Sequence, residues 1–152
     1  VKTMTLNEYV KRYMRTRTAA FYVALGVSLL AVAAGVIACA GLSAYGTAWP
    51  ALVCVIVGFM AVLVLSFAGQ DNAGAAAMGV LTLAGFVCLL VGEYSHFFNT
   101  IQNQAMTGFN IASVDGLMLL IVCVVLYVVS AIALNVCAWL RLKKTAGAAR
   151  AA

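Results

Sequence analysis

The sequence predicts an all-α integral membrane protein: an up-down bundle of four membrane-spanning helices, preceded by an amphipathic helix at the cytoplasmic interface. Three observations carry this prediction. The chain is 66% hydrophobic and only 9% charged, whereas roughly a quarter of the residues of an average soluble domain are charged. Every lysine and arginine lies at or before Arg17 or at or after Arg141. Between them, four apolar runs at 19–42, 50–69, 73–98 and 114–140 each reach the roughly 20 residues a helix needs to cross a hydrocarbon core.

The first element, residues 1–18, reads as a short amphipathic helix. Leu6, Tyr9, Val10, Tyr13 and Met14 recur at helical spacing, with Glu8, Lys11, Arg12 and Arg15 on the opposite face. Thr5 and Glu8 are spaced for a capping box, and Met4 and Tyr9 for the accompanying hydrophobic staple. Such a helix lies in the membrane interface with its cations toward the headgroups. The net charge of +5 is therefore read as attraction to anionic lipid at the cytoplasmic face, about 1 kcal/mol per juxtamembrane cation, and not as a nucleic-acid footprint.

The four spans follow in order. The run 19–42 exceeds the roughly 7–15-residue core of a signal peptide and is expected to remain as an anchor. Pro50 suits the first turn of the second span, where its missing N–H costs nothing. Asp71 or Asn72 is expected to cap the third span, and Ser113 the fourth. The links 43–49, 70–72 and 99–113 are short, so sequential helices become antiparallel neighbours. Lys and Arg mark cytoplasmic segments, so both termini, including the basic tail 141–152, belong in the cytoplasm of a plasma (inner) membrane protein. Tyr45, Trp49, Tyr94 and Phe109 then form an external aromatic belt, and Tyr22 and Trp139 an internal one.

Small residues mark where helices approach. Gly58 on the second span and Ala75 and Gly79 on the third leave shallow surfaces, and Gly26 and Gly35 lighten the first. Such surfaces serve packing within the chain or in a homo-oligomer. Asn135, near the internal end of the fourth span, is expected to make an interhelical hydrogen bond. Ser28, Ser66 and Thr82 are expected to bond backbone carbonyls of their own helices. The five cysteines, Cys39, Cys54, Cys88, Cys123 and Cys137, all fall in apolar runs as buried, weakly polar core groups. Cys39 and Cys54 sit at similar depth on adjacent helices, where an oxidising exterior would permit a bridge.

Chemistry concentrates at the external end of the third span. Glu93 and His96 share a helix face, and Asp115 is expected in the first turn of the fourth helix, where the dipole favours it. Asn99 and Gln102 lie in the cation-free loop between them. Ionisable groups in a span usually face a bundle interior or wet cavity, and carboxylate rings attract cations to pores. Two readings stay open: an outer cation or proton site, or a Glu93–His96 pair among headgroups with Asp115 as a simple cap. One protomer has too few oxygen ligands for a calcium cage. No phosphate loop, HExxH, CxxC or bis-histidine pattern is present, so neither an enzyme nor a cofactor is expected.

These readings converge on a small oligomeric membrane channel or transporter passing cations near the external side. The alternative is a non-catalytic accessory or scaffold subunit with a membrane-protein partner. Orientation is tested in a cysteine-free background. A cysteine at Gln102 should react with an impermeant thiol reagent on intact cells, whereas one at Asn72 or Ala149 should react only after permeabilisation; the reverse labelling pattern would invert the topology.

Overall fold

The computed structural model describes residues 5–108, 110, 114–140 and 142 of the chain. These residues form five helices: α1 (Leu6–Arg15), α2 (Ala19–Leu42), α3 (Trp49–Phe67), α4 (Asp71–Ala105) and α5 (Leu117–Trp139). No strand occurs among them. The four helices after α1 are long and apolar enough to cross a membrane, which by composition makes this a multi-pass membrane protein. The expected cap at Ser113, the staple residue Met4, the belt residue Phe109 and all the cations of the basic tail lie outside the described residues.

Packing joins α2 to α3, α3 to α4, α4 to α5 and α5 back to α2, with a slighter contact between α2 and α4. Their shared interior is filled. Tyr127, Leu42, Met78, Leu89, Leu134 and Val55 have essentially no exposed surface and belong to one continuous cluster. Outward positions are apolar too, including Val64, Val80, Val91 and Ile132, as expected of helices that are hydrophobic all round. At the two ends of the bundle stand exposed aromatics, Trp49 and Tyr94 at one and Tyr22 and Trp139 at the other.

Several contacts follow from small residues. Gly58 of α3 abuts Met78 and Leu81 of α4, and Gly79 of α4 abuts the Asn135 side chain of α5. Ala75 is buried with Phe21 and Leu142 in a second, smaller cluster. Gly35 meets Val55, Leu52 and Tyr127, whereas Gly26 faces open space. Asn135 departs from its expected interhelical bond: its Nδ2 donates to Ala131 O of its own helix at 2.8 Å. All five cysteines are free thiols, and Cys54 interacts with Cys88 of α4.

Helix boundaries differ from expectation most in α4. Residues 99–104 are helical rather than part of a link. Phe97, Ile101 and Gln104 continue the inward stripe of Glu93 at helical spacing, and Thr100 Oγ1 bonds His96 O at 2.8 Å. The helix therefore outlasts its apolar stretch. Pro50 occupies the first turn of α3 as expected.

At the end of the bundle nearest Arg17, which lies between α1 and α2, the helices are tied by a polar clasp. Arg17 and Asp71 form an ion pair at 3.3 Å, with side chains 4% and 1% exposed. Arg17 Nη2 also donates to Ser66 O at 3.0 Å. Ser66 Oγ donates to Asp71 Oδ1 at 2.5 Å instead of bonding its own helix, as Ser28 and Thr82 do. Tyr13 reaches from α1 to hydrogen-bond Ser66, lies under the Arg17 guanidinium and packs on Phe67. Asp71 or Asn72 was expected to cap α4, but the residue before the helix is Gln70, and no side chain caps it. Asn72 Nδ2 instead donates to Ala138 O and Leu140 O at the end of α5, while Thr18 N donates to Leu142 O.

Breaking a buried pair by removing one partner leaves an uncompensated charge and costs about 3–5 kcal/mol, whereas replacing both partners by apolar groups is often neutral. Asp71→Asn should therefore lower the unfolding temperature in detergent sharply, and the Arg17→Met, Asp71→Leu double variant should recover most of the loss. An unchanged unfolding temperature in Asp71→Asn would show that the clasp is not structural.

Candidate functional site

At the opposite end of the bundle the polar groups are not matched. Glu93 sits on the inward face of α4, one turn before Phe97, and is 1% exposed. Neither carboxylate oxygen has a hydrogen-bond partner among the described residues. His96 is close enough to interact with it electrostatically, but the ring stacks on Tyr45 at 4.9 Å and against Phe97. The two residues thus share a face, as their spacing predicts, without forming an ion pair.

The chamber around the carboxylate is made by the link between α2 and α3. Thr47 N donates to Gly92 O at 3.3 Å, drawing that link onto α4. Both contact points require glycine. A methyl group on Gly92 would collide with Thr47 O, and one on Gly46 would meet Gly92 O at 2.5 Å and Glu93 Oε2 at 2.8 Å. Tyr45, adjacent in this link, also lies under Gly116, whose φ of +77° suits glycine. Gly116 precedes α5, so one tyrosine connects the α2–α3 link, α4 and the approach to α5.

The remaining expected site residues are not gathered here. Asp115 is exposed and precedes α5, which begins at Leu117, so it does not occupy the first turn. Asn99 and Gln102 are exposed positions on the extended α4 rather than loop ligands. Beside Glu93 runs an apolar groove of about 340 Å³ between α4 and α5, lined by Leu90, Tyr94, Phe97, Leu117 and Leu120. Among the described residues no cluster of three His, Cys, Asp or Glu side chains is placed to hold a metal ion.

Sequence reasoning read Tyr45 only as an aromatic-belt residue and missed Gly46 and Gly92. Their signal was available only in part, as a Tyr-Gly pair in a link next to an acidic helix end. Chemically, a desolvated carboxylate without a hydrogen bond is expensive in its charged form, so burial raises the cost of leaving Glu93 ionised. No family model, curated protein or solved structure matches the chain, and the reading of this site rests on its own residues.

The glycine contact is directly testable. Gly92→Ala should destabilise the protein by about 1–3 kcal/mol, the usual cost of overpacking, read as earlier thermal unfolding. Gly26→Ala, with nothing within 4 Å of its added methyl, should be neutral or stabilising by up to about 1 kcal/mol through helix propensity. Equal unfolding temperatures for the two variants would contradict the close approach.

Proposed function

We propose that this chain is a small plasma-membrane channel or transporter that works as a homo-oligomer and passes cations or protons through a site built on Glu93. In this reading it is an up-down four-helix bundle with both termini cytoplasmic, α1 at the inner interface and Glu93 near the external side. The observation that carries the reading is the buried, unpartnered Glu93 carboxylate. Burying an ionisable group in a span is costly, and none of its described neighbours offsets the cost with a hydrogen bond. The orientation rests on the distribution of cations, five of which stand before α2.

A single bundle has a filled interior, so the path runs at an interface between copies or opens by movement of the α2–α3 link away from α4. His96 and Tyr45 form the wall that such a movement would displace. Asp115, Asn99 and Gln102, exposed at the same end, contribute an acidic and amide-rich approach and not the site itself.

The filled core and the scattering of those three residues favour a second reading, an accessory subunit whose apolar outer faces pack against a different membrane protein. Two measurements separate the readings. Purified protein in liposomes should support cation or proton flux, which Glu93→Gln should reduce about tenfold or more, as expected for the loss of a desolvated charge on an ion path. Gentle extraction should yield the chain as a homo-oligomer. Absence of flux under ion gradients and voltage, together with one reproducible heterologous partner, would overturn the transport reading in favour of the accessory one.

A further inference from the structure

A second cavity, with a mixed polar and apolar lining, lies at the Arg17 end, outside the site just described. It has a volume of about 230 Å³ and is lined by Tyr9, Arg12 and Thr16 of the N-terminal segment together with Arg17, Phe67 and Gly69. Arg17 forms part of its floor. That side chain is buried, with 4% exposure, and its terminal nitrogens are engaged by Asp71 and Ser66 while Nε has no hydrogen-bond partner. Arg12 is exposed at the rim and makes no ion pair among the described residues.

The charge balance favours an anion. Asp71 neutralises Arg17, which leaves Arg12 uncompensated in the cavity wall. Lys11 and Arg15 on α1 add to the potential, and Glu8 is the acidic group on that helix. Guanidinium groups bind phosphate oxygens through paired, charge-assisted hydrogen bonds, and the hydroxyl of Tyr9 adds a donor of the same kind.

The cavity also has an apolar extension. Phe67 in its wall is the last of a stripe on α3, Met60, Val64 and Phe67, spaced four and three residues apart. All three are more than half exposed, and they run from the cavity along the outer surface of the bundle. A polar pocket of headgroup size at the end of an apolar helix face has the shape of an amphiphile. Basic pockets at the cytoplasmic ends of membrane helices are a recognised way of holding anionic headgroups.

We propose that this cavity is a specific binding site for the phosphate headgroup of an anionic phospholipid, with Arg12 as its principal contact and an acyl chain along Met60, Val64 and Phe67. The proposal rests on the membrane-spanning part of the function reading and not on transport. The occupied site ties α1 to the bundle by a lipid as well as by Tyr13.

The test uses the full chain purified in detergent at high ionic strength, where diffuse attraction is screened. Phosphatidylglycerol and phosphatidylcholine with identical acyl chains are titrated, and bound lipid is read by native mass spectrometry. Wild type should retain phosphatidylglycerol preferentially. Arg12→Gln should weaken that preference about tenfold while Arg15→Gln, which removes the same charge outside the cavity, should change it less than about twofold. Inorganic phosphate should not displace the lipid. Equal retention of the two lipids, equal losses in the two variants, or displacement by inorganic phosphate would each overturn the proposal, the last by assigning the cavity to free phosphate. Failure of the membrane-spanning reading would appear separately, as protein that stays dispersed and folded without detergent.

Discussion

The ion pair between Arg17 and Asp71 is the constraint on which the arrangement of the helices depends. Two opposite charges, both almost fully buried, are tolerable only when their remaining hydrogen-bonding capacity is met. Most of it is met by Ser66 from the last turn of α3, with Tyr13 from α1 bonding that serine and the aromatic faces of Tyr13 and Phe21 covering the guanidinium, whose Nε alone keeps no hydrogen bond. Asn72, next to Asp71, then gathers the carbonyls at the end of α5. Every helix therefore has one end fixed in a common polar knot. In lipid, where the hydrophobic effect does not drive helices together, such a knot specifies register and neighbours better than apolar packing can.

The opposite end shows what the same chemistry looks like without completion. Glu93 is buried as deeply as Asp71, but no guanidinium, hydroxyl or amide answers it. The difference is one of local sequence. Asp71 follows a serine by five residues and has an arginine within reach, whereas Glu93 is surrounded by Tyr45, Gly46, Gly92 and Phe97, of which none supplies a hydrogen bond to the carboxylate. Asp71 has a counter-charge in Arg17 and a hydrogen bond from Ser66, whereas neither Glu93 oxygen has a hydrogen bond among the described residues, and this contrast is the basis for proposing function at the Glu93 end and architecture at the Arg17 end.

Much of this was legible in the residues. The composition and the four apolar runs gave the helix count, and the limits of α2 coincided with the run that predicted it. The third span ran longer than expected because hydrophobicity ends at Phe98 while the inward stripe continues through Ile101 and Gln104; polar residues can extend a helix beyond the segment they solvate. Glu93 and His96 were visible as a pair by spacing, but spacing could not show that Tyr45 would take the imidazole. The Arg17–Asp71 pair was hidden for a different reason. Arg17 looked like one more juxtamembrane cation and Asp71 like a helix cap, and only the approach of the ends of α2 and α4 in space makes them partners. A faint signal existed, since Asp71 stands next to a short link on the side of the chain where the cations gather.

The account stands on Glu93 being the group that takes up a charge. Infrared difference spectroscopy of the carboxyl bands, recorded on purified protein in lipid as proton or cation concentration is stepped, reports this without reference to transport. The account predicts a band of a desolvated carboxyl group, distinct from those of the exposed Glu8 and Asp115, that responds to the step in wild type and in the Arg17→Met, Asp71→Leu double variant, and that disappears in Glu93→Gln. A desolvated-carboxyl band that still responds in Glu93→Gln, or that vanishes in the double variant while the helices stay folded, would contradict it.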